Sequence, residues 1–189
     1  MTTLVFLHGA GDDRHAYGWP LNEVAEAFDA RLKNFNAPFA HETKAYKYKW
    51  FNKFDNNGRR DAVIEDYEYA YNYVKEQLEK LDEKLSNIIL IGHSQGGGLA
   101  VHLGLELKLK GVISINGDLP YNLSYQKKTK TPIYWLESAE DTYLSDERKQ
   151  SYKLIAHNNN FHHFVLPDST HTEFEEDLLK ILKLNVIQF

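Results

Sequence analysis

Short apolar runs alternate along the chain with longer amphipathic segments. The short runs predict buried strands at residues 4–7, 88–91, 112–115, 133–136 and 161–166, with a further short strand within residues 33–41. Apolar positions spaced by three and four predict helices at residues 21–32, 61–85, 99–107, 146–157 and 173–182. Strands that alternate with helices are typical of a parallel sheet covered on both faces. The pattern predicts an α/β fold with a mostly parallel sheet of about six strands.

One segment has no clear period. Residues 41–60 are rich in lysine, asparagine and aromatic side chains, and they predict a long irregular loop over one face. Lysines that alternate with aromatic residues also occur in proteins that bind single-stranded nucleic acid. The chain as a whole is acidic, which favours a loop on the substrate side of an enzyme and predicts no nucleic-acid partner.

Composition narrows the possible classes of protein. The chain has 189 residues, a net charge of −5 and no cysteine. This length predicts a single domain over residues 1–189. A chain without cysteine has no disulfides, zinc–thiolate sites, iron–sulfur clusters or thiol chemistry, and no other metal-ligand spacing stands out, so no metal or cofactor is expected. The apolar runs are too short for a signal peptide or a membrane span, which predicts a cytoplasmic protein without stable membrane anchoring. The oligomeric state stays open.

The strongest local motif is Gly92-His93-Ser94-Gln95-Gly96, which follows a predicted strand and precedes a predicted helix. This is G-x-S-x-G in the strand–turn–helix context that the motif requires. The glycines allow the strand and helix backbones to approach closely, and the sharp turn presents the serine hydroxyl above the sheet. The motif predicts that Ser94 is a nucleophile.

A serine nucleophile needs a base and a group that orients the base. After such a turn the order along the chain is Ser, then Asp or Glu, then His. Asp141 and His171 follow the ends of two later predicted strands and fill these positions. Asp118, which follows the strand at residues 112–115, is an alternative acid, and Glu140 is a weaker one.

The tetrahedral intermediate of acyl transfer needs two N–H donors for its oxyanion. The residue after the nucleophile supplies one donor, here Gln95. The loop after the first strand supplies the other, and its sequence His8-Gly9-Ala10-Gly11-Asp12 points to the N–H of Ala10. Together these residues predict a site for acyl transfer.

These motifs resemble the α/β-hydrolase superfamily and, more narrowly, the small lysophospholipase/carboxylesterase family that includes acyl-protein thioesterases. Residues 7–12 resemble that family's L-H-G-x-G-D segment, and residues 92–97 resemble its G-F-S-Q-G-G. Trp50-Phe51 resembles the start of its W-F-D, residues 117–120 its S-G-x-L-P stretch, and Glu140-Asp141 and His171 its acidic loop and its G-H. The chain departs from the family pattern at Asn52, which replaces an acid, and at Thr170, which replaces glycine.

The resemblance implies a three-layer α/β-hydrolase fold without a lid domain. It also implies a serine hydrolase that cleaves a small-molecule ester or thioester through Ser94, His171 and Asp141, by way of an acyl-enzyme. We expect Trp50, Phe51 and Leu119 to line an apolar groove for the acyl chain. Two alternatives stay open at this point: a peptidase or amidase with the same machinery, and a non-catalytic binding protein on a hydrolase scaffold.

Overall fold

Strands and helices alternate through most of the chain. The computed structural model describes residues 1–15, 19–57, 59–125, 127–157, 160–184 and 186–189. The strands are β1 Thr2–Leu7, β2 Ala30–Asn34, β3 Phe39–Ala40, β4 Tyr48–Lys49, β5 Lys53–Asn56, β6 Arg59–Ala62, β7 Ile88–His93, β8 Gly111–Ile115, β9 Ile133–Ser138 and β10 Phe161–Leu166. The α-helices are α1 Leu21–Ala27, α2 Ile64–Glu79, α3 Ser94–Glu106, α4 Asp146–Lys149 and α5 Glu175–Lys183, with 3-10 helices at Leu85–Asn87 and Gln150–Leu154.

Six strands of the described residues form the central sheet, in the order β10-β9-β8-β7-β1-β2. All five neighbouring pairs are parallel. The predicted α/β-hydrolase fold with its six-stranded sheet is confirmed. Because the strands are parallel, their carboxyl ends meet at one edge, where the segments after β1, β7, β8, β9 and β10 come together.

Each central strand contributes side chains to a separate core on each face of the sheet. In β1, Val5 and Leu7 belong to one buried cluster, and Leu4 and Phe6 belong to the other. Helices α2 and α3 cover the first face, and α1 and α5 cover the second. This alternation explains why a fully apolar run forms a strand here: both faces are buried. None of the helices in the described part of the chain has the length and apolarity needed to cross a bilayer.

The boundaries of several elements differ from the sequence predictions. The predicted helix at residues 21–32 ends at Ala27, because Asp29 has a φ of +46° and reverses the chain into β2. Where one short strand was expected within residues 33–41, the structure has the last two residues of β2 and the two-residue strand β3. The predicted helix at residues 146–157 is a four-residue helix, α4, followed by a 3-10 turn.

The predicted loop at residues 41–60 contains regular structure. Strand β4 pairs with β3, and β5 forms an antiparallel hairpin with β6. The prediction of an irregular loop was wrong because β5 is short and mostly exposed, so it carries no alternation of apolar and polar positions. In residues 116–125 and 127–132, between β8 and β9, no helix occurs that could act as a lid.

Candidate functional site

The turn from β7 into α3 is as sharp as its glycines suggested. Ser94 begins α3 with a φ of +49°, in the left-handed region that non-glycine residues rarely adopt. A Cβ on Gly92 would lie 2.4 Å from the carbonyl oxygen of Gly96, and one on Gly96 would lie 2.2 Å from that of Leu7. A strained serine held between close-packed backbones is typical of a functional turn.

Gly96→Ala tests whether this close approach holds the turn in place. We expect the variant to lose about 3 kcal/mol of stability, because its methyl group would overlap the backbone of β1, which cannot move aside. Gly97→Ala is the matched control in the same helical turn, since its methyl group would meet the rotatable Ser114 hydroxyl at 2.9 Å and would come no closer than 3.1 Å to the backbone of neighbouring segments. Urea unfolding of both variants measures the difference, and equal losses would contradict this explanation.

Of the predicted site residues, His171 and Asp141 are in direct contact. Asp141 Oδ2 accepts a hydrogen bond from Nδ1 of His171 at 2.7 Å, and its Oδ1 accepts the N–H groups of Tyr143 and Leu144. Burial acts to raise the pKa of Asp141, but the hydrogen bond and charge of His171 and the two N–H donors outweigh it, so the pKa lies below its usual value. Asp141 is therefore ionised and fixes which nitrogen of His171 carries the proton.

Two buried side chains hold the backbone of His171, and no sequence motif indicated either of them. His93 donates from Nε2 to the carbonyl oxygen of His171 at 2.8 Å, and Asn116 donates to the same oxygen at 3.0 Å. Burial and the neighbouring His171 lower the pKa of His93 to about 3, so His93 stays neutral near pH 7. Their contribution is to position the loop that carries His171.

Ser94 and His171 line one cleft of about 370 Å³, together with Ala10 and Tyr143. The ring of Tyr143 packs 4.5 Å from the ring of His171, centroid to centroid. No direct hydrogen bond joins Ser94 to His171 in the described part of the chain. In an unliganded site such a bond is often long and tightens when substrate binds.

The two predicted oxyanion donors lie beside Ser94. Ala10, Ser94 and Gln95 together line a second cavity, of about 200 Å³. Gln95 is in the first turn of α3, where N–H groups have no acceptor within the helix. Its side chain has a role that the motif did not predict, because its amide accepts the N–H of Trp50 and donates to the carbonyl of Phe51, both at 2.7 Å.

The alternative acid Asp118 pairs with two basic side chains and not with His171. Its Oδ2 accepts Lys53 Nζ at 2.7 Å and Arg148 Nη2 at 2.7 Å. Burial acts to raise the pKa of Asp118, but the charges of Lys53 and Arg148 outweigh it and hold the pKa below its usual value. Asp118 therefore joins the β5–β6 hairpin to α4 and does not contact His171. Nothing in the sequence pattern pointed to this ion cluster.

The expected apolar groove of Trp50, Phe51 and Leu119 is not formed. Trp50 and Leu119 are completely buried, and Phe51 is only 1% exposed. Trp50 donates from Nε1 to the carbonyl oxygen of His8 at 2.7 Å, and Leu119 packs in the same core. Phe51 contributes to the wall of the second cavity, but its ring packs against Tyr67. The sequence predicted a groove at these positions because the buried residues that support a site are as apolar as those that line it.

Acidic and histidine side chains are the main candidate metal ligands of a chain without cysteine. In residues 1–15, 19–57, 59–125, 127–157, 160–184 and 186–189, no group of three or more such side chains could hold a metal ion.

Comparison with known proteins places this geometry in a family. Residues 1–185 match the phospholipase/carboxylesterase family of α/β-hydrolases. The chain belongs to this family. It is thus a hydrolase of the esterase or thioesterase type, and the resemblance drawn from its motifs is confirmed.

Individual relatives cover nearly the whole chain. Acyl-protein thioesterase 1 of Saccharomyces cerevisiae is 26% identical over 200 residues, which cover 93% of this chain and 88% of that protein. Among solved structures, esterase PE8 superposes with a TM-score of 0.79 at 24% identity, covering 97% of this chain and 90% of that one. The carboxylesterase of Bacillus cereus gives a TM-score of 0.74 at 18% identity, with 97% and 86% covered. At these identities the two structures support the fold alone.

Proposed function

We propose that this protein hydrolyses carboxylic esters or thioesters through Ser94, His171 and Asp141, with residues 1–189 acting as a single catalytic domain. The observation that supports this most strongly is the 2.7 Å bond from His171 to the ionised Asp141, in a cleft that His171 shares with the strained Ser94. The yeast relative is named an acyl-protein thioesterase, which agrees with a thioester as a substrate.

The proposed reaction has two halves. Ser94 Oγ attacks the acyl carbon while Nε2 of His171 takes its proton, and the N–H groups of Ala10 and Gln95 bind the oxyanion. His171 then gives the proton to the leaving alcohol or thiol, which leaves an acyl group on Ser94. Water attacks this acyl-enzyme with His171 again as base, and the carboxylic acid departs. Asp141 holds the imidazole and stabilises its charged form.

Pre-steady-state kinetics with p-nitrophenyl acetate test this proposal. We expect a burst of nitrophenol close to one equivalent per active site, because acylation of Ser94 precedes a slower hydrolysis. Mass spectrometry of the quenched enzyme should show the acetyl group on Ser94. A protein that binds the ester without releasing nitrophenol would instead support the non-catalytic alternative.

An amide series separates the remaining enzymatic alternative. The p-nitroanilide of acetic acid has the same acyl group as the ester and a nitrogen leaving group. We expect it to react far more slowly, and equal rates would favour a peptidase or amidase. The cytoplasmic location expected from the sequence stays a prediction.

A further inference from the structure

The cavity of about 200 Å³ beside Ser94 has more basic than acidic side chains in its wall, and we call it the basic cavity. Its wall carries, among the described residues, the basic side chains Lys49, Lys53, Arg60 and Arg148. Glu42 is on the same wall and forms an ion pair with Lys49. The whole chain has a net charge of −5, so the local charge is opposite in sign to that of the molecule.

Two of these cations, Lys53 and Arg148, share a single buried carboxylate as their counter-charge. Asp118 is completely buried, and one oxygen of its carboxylate accepts both Lys53 and Arg148, each at 2.7 Å. One carboxylate cannot neutralise two cations, and an arginine cannot lose its proton in a protein. Burial lowers the pKa of Lys53 and Asp118 acts to raise it, so this part of the cavity is positive while Lys53 keeps its proton.

Arg60 adds a further cation to this wall. Its Nε is buried and has no hydrogen-bond partner, and no ion pair to Arg60 occurs among the described residues. Asp55 lies opposite Arg60 in the β5–β6 register, but Asp55 is exposed and does not line the cavity. A buried donor without an acceptor is costly, so Arg60 has the chemistry of a group that awaits an anionic ligand.

The placement of His171 decides which part of the substrate enters this cavity. In the proposed reaction His171 must give its proton to the leaving group, so the leaving group lies on its side of Ser94. His171 lines the cleft of about 370 Å³ and is not part of the wall of the basic cavity. The acyl chain therefore extends from Ser94 into the basic cavity, past the N–H groups of Ala10 and Gln95.

We propose that the basic cavity binds a carboxylate at the far end of a short acyl chain, so that the preferred substrate is a half-ester or half-thioester of a small dicarboxylic acid. The inference rests on the function proposed above and specifies its substrate class. Arg60 supplies the principal contact, and Lys53 and Arg148 supply the surrounding positive field. The volume of about 200 Å³ suits an acyl chain of a few carbons, because pockets that bury drug-sized ligands have about 300–1,000 Å³.

Two esters of matched shape test the proposal. Monoethyl glutarate carries a terminal carboxylate, and ethyl 5-methylhexanoate replaces it with an isopropyl group of similar size. Titration of the released acid gives kcat/KM for each. We expect the glutarate to be favoured at least about tenfold, which is the value of one charge-assisted hydrogen bond.

Variants then locate the source of this preference. Arg60→Gln should reduce the ratio of the two kcat/KM values toward one, and Arg60→Lys should retain part of it. Arg31→Gln, the same change at a half-exposed position on β2, is the matched control and should keep the ratio of the parent enzyme. An unchanged ratio in Arg60→Gln would overturn the role of Arg60.

A binding experiment separates this proposal from the hydrolase function. Calorimetry on the Ser94→Ala variant should detect glutarate, with at least about tenfold weaker binding once Arg60→Gln is added. Equal hydrolysis of the two esters would overturn the anionic substrate class and leave the hydrolase intact. Glutarate binding without hydrolysis of either ester would overturn the hydrolase and leave the anion site. Tighter binding of inorganic phosphate than of glutarate would overturn the choice of a carboxylate.

Discussion

The Ser94→Ala variant is expected to lose at least about 10⁴-fold in kcat for ester hydrolysis while its fold is retained. Removal of the hydroxyl eliminates the only atom proposed to form the acyl-enzyme, and residues that act as a unit lose most of their effect together. The change is small and occurs at the carboxyl edge of the sheet, so the cores on either face are untouched. The residual rate would come from the oxyanion donors and from binding.

Active-site labelling identifies the nucleophilic residue, which kinetics alone does not. A fluorophosphonate probe should label the parent enzyme at Ser94 and leave the alanine variant unlabelled, and circular dichroism should show the same fold in both. Because alanine is also strained at a φ of +49°, any change in stability should be slight. Near-normal turnover by the folded variant would exclude Ser94 as the nucleophile.

The second large effect is expected for Asp141→Asn, which should lower kcat by about 10⁴-fold, as the corresponding change does in a serine protease. Asp141 accepts from Nδ1 of His171 and from two backbone N–H groups. An amide in its place can keep the shape of the loop, but it favours the wrong tautomer of the imidazole and cannot stabilise the charged form. The loss should therefore fall on kcat and not on folding.

Asp118→Asn is the matched comparison, because Asp118 was the alternative acid in the sequence. It should lose far less kcat toward a neutral ester and instead cost about 3 kcal/mol of stability, since Lys53 and Arg148 would be left without their counter-charge. Thermal unfolding and kcat are measured on both variants. We expect Asp141→Asn to lose mainly kcat and Asp118→Asn to lose mainly stability. A severe kcat loss in Asp118→Asn with a mild one in Asp141→Asn would reverse it.

The sequence could predict the part of the site that depends on the sterics of segments adjacent in the chain. The apolar run of β7, the glycines around Ser94 and the helix that follows are adjacent in the chain, so their close approach can be deduced without the fold. The same reasoning located Asp141 and His171 after β9 and β10, because parallel strands end at one edge. These are consequences of strand order and turn geometry.

Other features depended on contacts between distant segments. Lys53, Asp118 and Arg148 are far apart in sequence, and only the folded chain joins them into one ion cluster. The interactions of His93 and Asn116 with the carbonyl of His171 are equally non-local. Strand β5 was also not predicted. A short exposed strand is stabilised by pairing with its neighbour, here β6, and it carries no hydrophobic period in the sequence.

By itself, the sequence determined the class of fold, the sharp turn that carries Ser94 and the chain order of the groups around it. Buried strands and tight glycine turns are imposed by local sterics and by the hydrophobic pattern. Only the tertiary structure decided that Trp50 and Leu119 are scaffold, that Asp141 and not Asp118 meets His171, and that the cavity beside Ser94 is basic. The physical reason is that burial and electrostatic compensation are properties of a site's whole surroundings, which a single segment of chain does not contain.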